Sequence, residues 1–267
     1  MQPRFHQRQV LLGATGAVAP DSGMTFVFRP SRVKNEAGGT RRQARVGPPA
    51  FDKAQAGGVS FVMPYDDPTD AVARLAESVR RLIDVTVTID APPALLADAA
   101  ARVDALVAAL RPAVPDAPPA RYPDGGGATA AAFFPYDCVM GARNPLAAPV
   151  DIEWHDPLAI GTATFSTAYE GPPGCVHGAV IAATFDQVLN VANLMSGAAG
   201  PTARLEMRYR QPTPLRRRVR FEGWVTRREA RKIHSAGRLL VDDTVTVEAE
   251  GLYIVVDVER VMRMLDP

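Results

Sequence analysis

The sequence predicts an α+β fold in which one long buried helix is wrapped by a curved antiparallel sheet, with a helical extension before it. Three patterns indicate this fold. A long apolar stretch follows a loop of glycine and proline at 171–174, four stretches of alternating apolar and polar residues come after it, and two amphipathic stretches precede it. A helix that is apolar nearly all round must be buried by its surroundings, and half-buried antiparallel strands can supply that cover.

The composition limits the possible classes of protein. The 267 residues, 47% of them hydrophobic, can form one good core with appendages or two small domains, and the net charge of +1 excludes a polyelectrolyte. The two cysteines, Cys138 and Cys175, make neither a disulfide framework nor a metal site, which favours a reducing compartment. No apolar run approaches the roughly 20 residues that span a membrane, and the N-terminus lacks a secretory signal pattern. We therefore expect a cytoplasmic protein without membrane contacts.

Residues 1–60 are predicted to be a disordered basic extension. Polar, glycine-bearing and positively charged stretches cannot bury enough apolar surface to fold, and this region contains such a stretch, KNEAGGTRRQARVGPP. Contact with nucleic acid or acidic lipid is the less favoured alternative for this extension.

Residues 61–112 are predicted to form a helical hairpin. Asp67 can cap the first helix with Pro68 at the first helical position, while Asp90 and two prolines open a second helix that Pro112 ends. Apolar residues recur at helical spacing in both halves: Val72, Leu75, Val79, Leu82 and Ile83, then Leu96, Val103, Val107 and Leu110. Packing and support of an oligomer are the favoured roles of this hairpin.

A Pro/Gly/Ala linker at 113–132 separates the hairpin from a domain at 133–267 that carries the strand patterns. One alternating stretch precedes the apolar helix, and four more follow it, with breaks at 228–231 and 242–243. They read IGTATFSTAYEGPPG, TARLEMRYRQP, RVRFEGWVT, RKIHSAGRLLV and TVTVEAEGLYIVV. The predicted order is a strand, the buried helix, and then four strands in an antiparallel meander.

The apolar helix, from about Val176 to Met195, carries one unexpected charge, Asp186. Burying a carboxylate is costly unless it is paired or has a function. At the other end of the helix, Gly178 leaves its backbone N–H open to a ligand oxygen, which is the geometry of an oxyanion hole. The two residues lie eight positions and roughly 12 Å apart along the axis. A second, antiparallel copy of the helix could bring them together, so the spacing predicts a dimer with two composite sites.

These residues resemble a known family. The stretch GPPGCVHGAVIAATFD is similar to the His-Gly-Gly-then-Asp signature of hotdog-fold acyl-CoA thioesterases of the phenylacetate-pathway type and their animal relatives, in a Gly-Pro-Pro-Gly branch. The resemblance covers roughly residues 133–260 and includes the later stretches TARLEMRYRQPTPL, EARKIHSAG and VEAEGLYIVV. It implies a hotdog fold, a dimer or dimer of dimers, and metal-independent hydrolysis of an acyl-CoA thioester in fatty acid metabolism.

The resemblance also implies roles for single residues. His177 and Gly178 match the pair that positions the thioester carbonyl, and Asp186 matches the carboxylate that attacks the carbonyl or activates water. Thr202 falls where several members have a Ser or Thr near the attacking water. Two positions depart from the signature: Ala179 replaces the second glycine, and Gly171 stands where some branches have Asn.

Basic residues between 208 and 232 are candidates for binding the three phosphates of coenzyme A, because arginine suits phosphates. Arg210, Arg231 and Lys232 are the predicted contacts. For any single one of them, a solvated strand edge is an equally good interpretation. A nucleic-acid site would need interleaved exposed aromatic side chains; only Tyr209, Phe221 and Trp224 are candidates, and Phe221 is expected to face inward.

Two further functions compete with hydrolysis. A non-catalytic acyl-CoA sensor could use the same pocket, although it would not need Asp186. A hotdog hydratase or dehydratase would act on the acyl chain, but the Asp and His spacing of those enzymes is not found.

Overall fold

The computed structural model describes residues 70–116, 134–148, 150–197 and 200–256, and the backbone of 27–28. Most of the predicted basic extension and of the predicted linker therefore lies outside the described residues. The described residues include the α-helices α1 (Ala71–Thr88), α2 (Pro93–Leu110) and α3 (Gly178–Met195). The strands within the same ranges are β1 (Val27–Phe28), β2 (Val150–His155), β3 (Leu158–Thr164), β4 (Thr202–Tyr209), β5 (Arg218–Glu229), β6 (Lys232–Val241) and β7 (Thr244–Ile254).

The strands form one sheet in the order β1-β4-β7-β6-β5-β3-β2. All neighbours are antiparallel except β1, which pairs in parallel with β4. Helix α3 lies against strands β2 to β7 and is mostly buried there. The predicted fold class, a hotdog fold, is confirmed.

The predicted strand order is wrong in two respects. A strand, β2, precedes β3, and β4 pairs with β7 instead of with the next strand along the chain. The pairing with β7 places Leu205 opposite Gly251 and Met207 opposite Ala249, so the two strands share one apolar face. Local alternation identifies a strand and its buried face, but it does not identify the strand's neighbour.

The stretch before the glycine and proline loop is only partly a strand. Strand β3 ends at Thr164, and Thr167–Tyr169 forms a 3-10 turn that the hydroxyl of Ser166 caps by accepting from the N–H of Ala168. The alternation predicted to continue through this stretch is therefore interrupted, because the hydrogen bond of the serine side chain to a backbone N–H favours a turn over an extended strand.

Small residues let α3 approach the sheet closely. A Cβ on Gly161 or on Gly223 would lie 3.0 Å from a methyl group of Val188, and one on Gly237 would lie 2.9 Å from the ring of Phe185. The three glycines therefore determine how deeply the helix is seated. This close contact also places the residue after Phe185, which is Asp186, at the edge of the core.

Helix α1 starts later than predicted. Its N-cap is Asp70, whose Oδ1 accepts from the N–H groups of Val72 and Ala73, while Oδ2 accepts from Arg143 at 2.8 Å. Arg80 ties the helix to the same segment by donating to the carbonyl of Asn144. Asp70 is favoured as the cap over the predicted Asp67 because its second carboxylate oxygen also pairs with Arg143.

Helix α2 begins at Pro93 without a side-chain cap, so the predicted opening by Asp90 is not formed. None of its residues is buried. Large apolar side chains of both helices remain exposed, among them Val72, Leu75, Leu82, Leu95, Leu96, Val103, Val107 and Leu110.

Candidate active site

The site begins at the loop that leads into α3. The N–H of His177 donates to the carbonyl of Tyr169, and the N–H of Gly171 donates to the carbonyl of Cys175. A Cβ on Gly171 would lie 2.7 Å from the Cα of His177. The loop therefore leaves no room for a side chain at position 171. This explains the glycine at a position where some branches of the hotdog thioesterases have Asn.

His177 is the N-cap of α3. Its Nδ1 accepts from the N–H of Ala179 at 3.0 Å. Because Nδ1 is used as an acceptor, the neutral ring carries its proton on Nε2. The side chain is exposed, so this Nε2–H is a donor available to a ligand at the start of the helix.

Gly178 is the first residue of α3, and its N–H has no acceptor among the residues that the structure describes. Its carbonyl accepts from the hydroxyl of Tyr209 at 2.7 Å. Burial raises the pKa of Tyr209 to about 12, so the hydroxyl stays protonated and donates at neutral pH. The first turn of α3 thus presents a free N–H at the positive end of the helix dipole.

Asp186 lies two turns further along α3, where β4 and β7 meet the helix. The Oγ1 of Thr202 donates to its Oδ1 at 2.6 Å, and the hydroxyl of Tyr253 lies 3.4 Å from the same oxygen. Thr202 and Tyr253 are directly opposite each other in the β4–β7 pair. Both hydroxyls therefore approach Oδ1, and Oδ2 has no hydrogen-bond partner within the described ranges.

The surroundings of Asp186 raise its pKa above the usual value. Burial is the largest cause, and the negative charge of Asp137 adds to it, while hydrogen bonds from Thr202 and Tyr253 act in the opposite direction. Asp137 is held next to this site by the side chain of Gln187, whose Nε2 donates to its Oδ2 at 2.9 Å. A carboxylate of raised pKa is a stronger base than an exposed one.

The four predicted catalytic residues form two groups in one chain. His177 and Gly178 lie at the start of α3, while Asp186 and Thr202 are in contact two turns away. The rise of the helix separates the two groups by roughly 12 Å. A single chain therefore does not bring the predicted oxyanion donor to the predicted carboxylate.

The predicted phosphate contacts are also divided between two ends of the sheet, the end where β4 begins and the end where it stops. Arg210 follows Tyr209 at the end nearer Gly178 and donates to Glu248 at 2.6 Å. Lys232 is opposite Ile254 at the other end of the sheet, and Arg231 beside it donates to the carbonyl of Val255. Seven residues of strand, roughly 24 Å, separate these ends. All three cationic side chains belong to exposed residues.

Sequence reasoning missed three residues of the site: Tyr209, Tyr253 and Asp137. The tyrosines lie in strands where an aromatic residue reads as ordinary core. Asp137 lies in a segment without clear periodicity, and its signal is the short turn it caps by accepting from the N–H groups of Val139 and Met140. Only the fold brings these side chains to α3.

Within the described ranges, no three His, Cys, Asp or Glu side chains are grouped in a way that could hold a metal ion. The described helices include none that is both long and apolar enough to cross a membrane.

Comparison with known proteins identifies the family. The family model of the thioesterase superfamily matches residues 173–248. A crystal structure of a thioesterase superfamily protein is 35% identical, with a TM-score of 0.66, and the match covers 74% of this chain and 96% of that one. The chain belongs to the thioesterase superfamily. The Gly-Pro-Pro-Gly branch stays a prediction.

Other solved structures match part of the chain at lower identity. Zebrafish thioesterase superfamily member 2 is 12% identical, with a TM-score of 0.38 over 40% of this chain and 82% of that one. A hypothetical thioesterase protein from Streptococcus pneumoniae, solved with coenzyme A, is 16% identical, with a TM-score of 0.38 over 40% of this chain and 87% of that one.

Proposed function

We propose that the protein is an acyl-CoA thioesterase that hydrolyses an acyl-CoA to the free acid and CoA. The observation that carries this proposal is the environment of the Asp186 carboxyl group. It is a carboxylate of raised pKa with one oxygen held by hydroxyl groups and the other without a partner, on the same helix as the free N–H of Gly178. Membership of the thioesterase superfamily supports the same reaction class. We place the reaction in cytoplasmic fatty acid metabolism.

The active unit is a dimer, alone or as half of a dimer of dimers. Antiparallel α3 helices of two copies bring Gly178 of one copy to Asp186 of the other, which closes the separation found in one chain. The same arrangement brings Arg210 of one copy towards Arg231 and Lys232 of the other. Each composite site then has basic side chains from both copies for the phosphates of CoA.

The donors at the start of α3 act on the thioester carbonyl. The N–H of Gly178 and the Nε2–H of His177 stabilise the negative charge that develops on the carbonyl oxygen. Asp186 supplies the electron pair in one of two ways. Its Oδ2 attacks the carbonyl carbon to give an anhydride that water then hydrolyses, or it takes a proton from water that attacks directly. In both routes the C–S bond breaks and CoA leaves as a thiolate, so a strong general acid is not required.

The first experiment measures thiol release from short, long and aromatic acyl-CoA substrates with the wild type and Asp186→Asn. We expect hydrolysis by the wild type and a loss of at least about 100-fold in the variant, with acyl-CoA binding retained. Binding by the wild type without thiol release from any substrate would overturn the proposal and favour an acyl-CoA sensor. Neither binding nor hydrolysis would leave the fold as the only shared property.

A second pair of variants isolates the oxyanion donor. Gly178 is the first helical position, and the preceding His177 has φ −62° and ψ 133°, so both positions accept the geometry that proline requires. Gly178→Pro removes the N–H, while Gly178→Ala adds side-chain bulk and keeps it. The proline variant should lose about 100- to 1000-fold in kcat, and the alanine variant far less. Equal losses would exclude the N–H as the donor.

Mixing two inactive variants tests the composite site. Gly178→Pro and Asp186→Asn, unfolded and refolded together, should regain activity, because each mixed dimer has one site with both intact residues. Random pairing restores about a quarter of wild-type activity. Purified single variants refolded alone are the control. No recovery in mixtures that contain mixed dimers by mass spectrometry would show that each site lies within one chain.

A further inference from the structure

Tyr253 is fully buried, and its hydroxyl approaches two oxygens of Asp186 as well as the hydroxyl of Thr202. The hydroxyl lies 3.4 Å from Oδ1 of Asp186 and 3.5 Å from the carbonyl oxygen of the same residue. A buried phenol hydroxyl needs such partners, since leaving it without a hydrogen bond is costly. This geometry is that of one donor shared between two acceptors. Burial and the nearby charge of Asp186 hold the pKa of Tyr253 well above its usual value, so its hydroxyl remains a donor.

The direction of the Tyr253 ring is built into β7. Gly251 lies two residues earlier on the same face of the strand. A Cβ on Gly251 would lie 2.5 Å from Cε2 of the ring and 3.1 Å from its hydroxyl. The ring therefore occupies the space over the glycine, which directs the hydroxyl towards α3. Such close approach is one of the reasons for a glycine inside a strand.

Thr202 completes the arrangement from β4. It is the direct cross-strand neighbour of Tyr253 and donates to the same Oδ1 at 2.6 Å. The charged group close to Asp186 is Asp137, which the neighbouring Gln187 of α3 contacts by donating to its Oδ2. Two neutral donors and one negative charge thus face the carboxylate, and both donors point at one oxygen.

We propose that Tyr253 is a positioning residue that, with Thr202, holds Oδ1 of Asp186 so that Oδ2 is the oxygen that reacts. The proposal rests on the proposed function, in which Asp186 is the reacting carboxylate. Without the two donors the carboxyl group can rotate, and either oxygen can turn towards the protein. The two donors occupy both lone pairs of Oδ1, and the carboxyl group is left with a single orientation of Oδ2.

The test compares Tyr253→Phe with the wild type. We expect kcat to fall by about 10- to 100-fold, with KM changed less than about threefold, since the tyrosine does not touch substrate. The acid limb of the kcat/KM profile should move to higher pH, because the hydrogen bond that favours the ionised form of Asp186 is lost. Tyr169→Phe, which removes a hydroxyl bonded to the carbonyl of Ala147, is the matched control and should leave the limb in place.

A second readout does not depend on hydrolysis. The pKa of Asp186, followed by carbon NMR of its carboxyl group, should rise in Tyr253→Phe. If the wild type hydrolyses no thioester, the proposed function fails while this titration still decides whether Tyr253 holds the carboxylate. An unchanged pKa of Asp186, or full kcat in Tyr253→Phe while Asp186→Asn is inactive, would overturn the positioning role.

Incorporation of 3-fluorotyrosine at position 253 covers the case in which Tyr253→Phe does not fold. The fluorinated ring keeps its shape and donates more strongly, so the pKa of Asp186 should fall and the acid limb should move to lower pH. A purely structural tyrosine would give no shift in this direction.

Discussion

Tyr209 donates its hydroxyl to the carbonyl of Gly178 at 2.7 Å, so strand β4 holds the first turn of helix α3 in place. The carbonyl that accepts this bond and the N–H that is left free belong to the same residue. The orientation of the proposed oxyanion donor therefore depends on a tyrosine thirty-one residues later in the chain.

Tyr209→Phe is expected to lower kcat by about 3- to 30-fold with little change in KM, because a looser first turn aims the Gly178 N–H less accurately. Initial rates of thiol release, measured over a range of concentrations of one acyl-CoA, give both constants. Unlike Tyr253→Phe, this variant should leave the acid limb of the pH profile nearly unchanged, since Tyr209 is bonded to Gly178 and not to the carboxyl group of Asp186 in its own chain. A shifted limb would mean that the loss of the hydroxyl reaches Asp186, either through the helix or across the proposed dimer.

Asp186 should reduce the stability of the fold at neutral pH. Its pKa in the folded chain is raised, so folding disfavours its ionised form; this cost is present above the folded pKa and disappears as pH falls towards the ordinary aspartate value. Asp186→Asn removes the charge but still accepts from Thr202 and Tyr253. We expect a higher Tm for the variant at pH 7.5, by about 2–4 °C for each kcal/mol relieved.

The advantage of Asp186→Asn should shrink between pH 7.5 and pH 4.5, as protonation neutralises the wild-type carboxyl group. Thermal melts of both proteins at the two pH values measure it. An equal or lower Tm of the variant at pH 7.5 would show that the two hydroxyl donors outweigh burial, and that the pKa of Asp186 is not raised.

Gly251→Ala approaches the Tyr253 contact from the backbone. The new Cβ cannot coexist with the ring at 2.5 Å, so the ring must move and its hydroxyl must leave Asp186. We expect both a lower Tm and a loss of kcat similar to that of Tyr253→Phe. In a Tyr253→Phe background, Gly251→Ala should reduce Tm again without a further loss of kcat, because the contact is already absent. Additive losses of kcat would show that Gly251 acts on the site by another route.

The sequence predicts the elements of this fold more completely than their pairing. Helix α3 is recognisable because apolar residues surround it, and Asp186 stands out because a carboxylate in such a helix needs a reason. The pairing of β4 with β7 is not recognisable, since it joins residues about fifty positions apart, such as Thr202 and Tyr253, through contacts that alternation does not encode.

The same limit explains which site residues could be predicted. His177, Gly178 and Asp186 lie within ten residues of one another, so local spacing and a family signature identify them. Tyr209 and Tyr253 contact α3 from two strands of the sheet; Tyr253 is buried in the core and Tyr209 packs against it, so both read in the sequence as ordinary strand aromatics. Their roles depend on where a hydroxyl points, which only the packed structure determines.

Replacing Asp137 is expected to move the acid limb of the kcat/KM profile in the direction opposite to that expected for Tyr253→Phe. Its negative charge raises the pKa of Asp186, so Asp137→Asn should lower that pKa and move the acid limb of kcat/KM to lower pH. The turn that begins at residue 137 should survive, because Asn can still accept from the N–H groups of Val139 and Met140.

Asp243→Asn is the matched control: it removes the same charge at the far end of β7, roughly 33 Å of strand from Tyr253. Asp243 has a φ of 63°, a conformation that asparagine also adopts, so this control should fold normally. A limb that moves equally in both variants would reflect net charge alone, whereas a limb that moves only in Asp137→Asn would identify Asp137 as the residue that tunes Asp186.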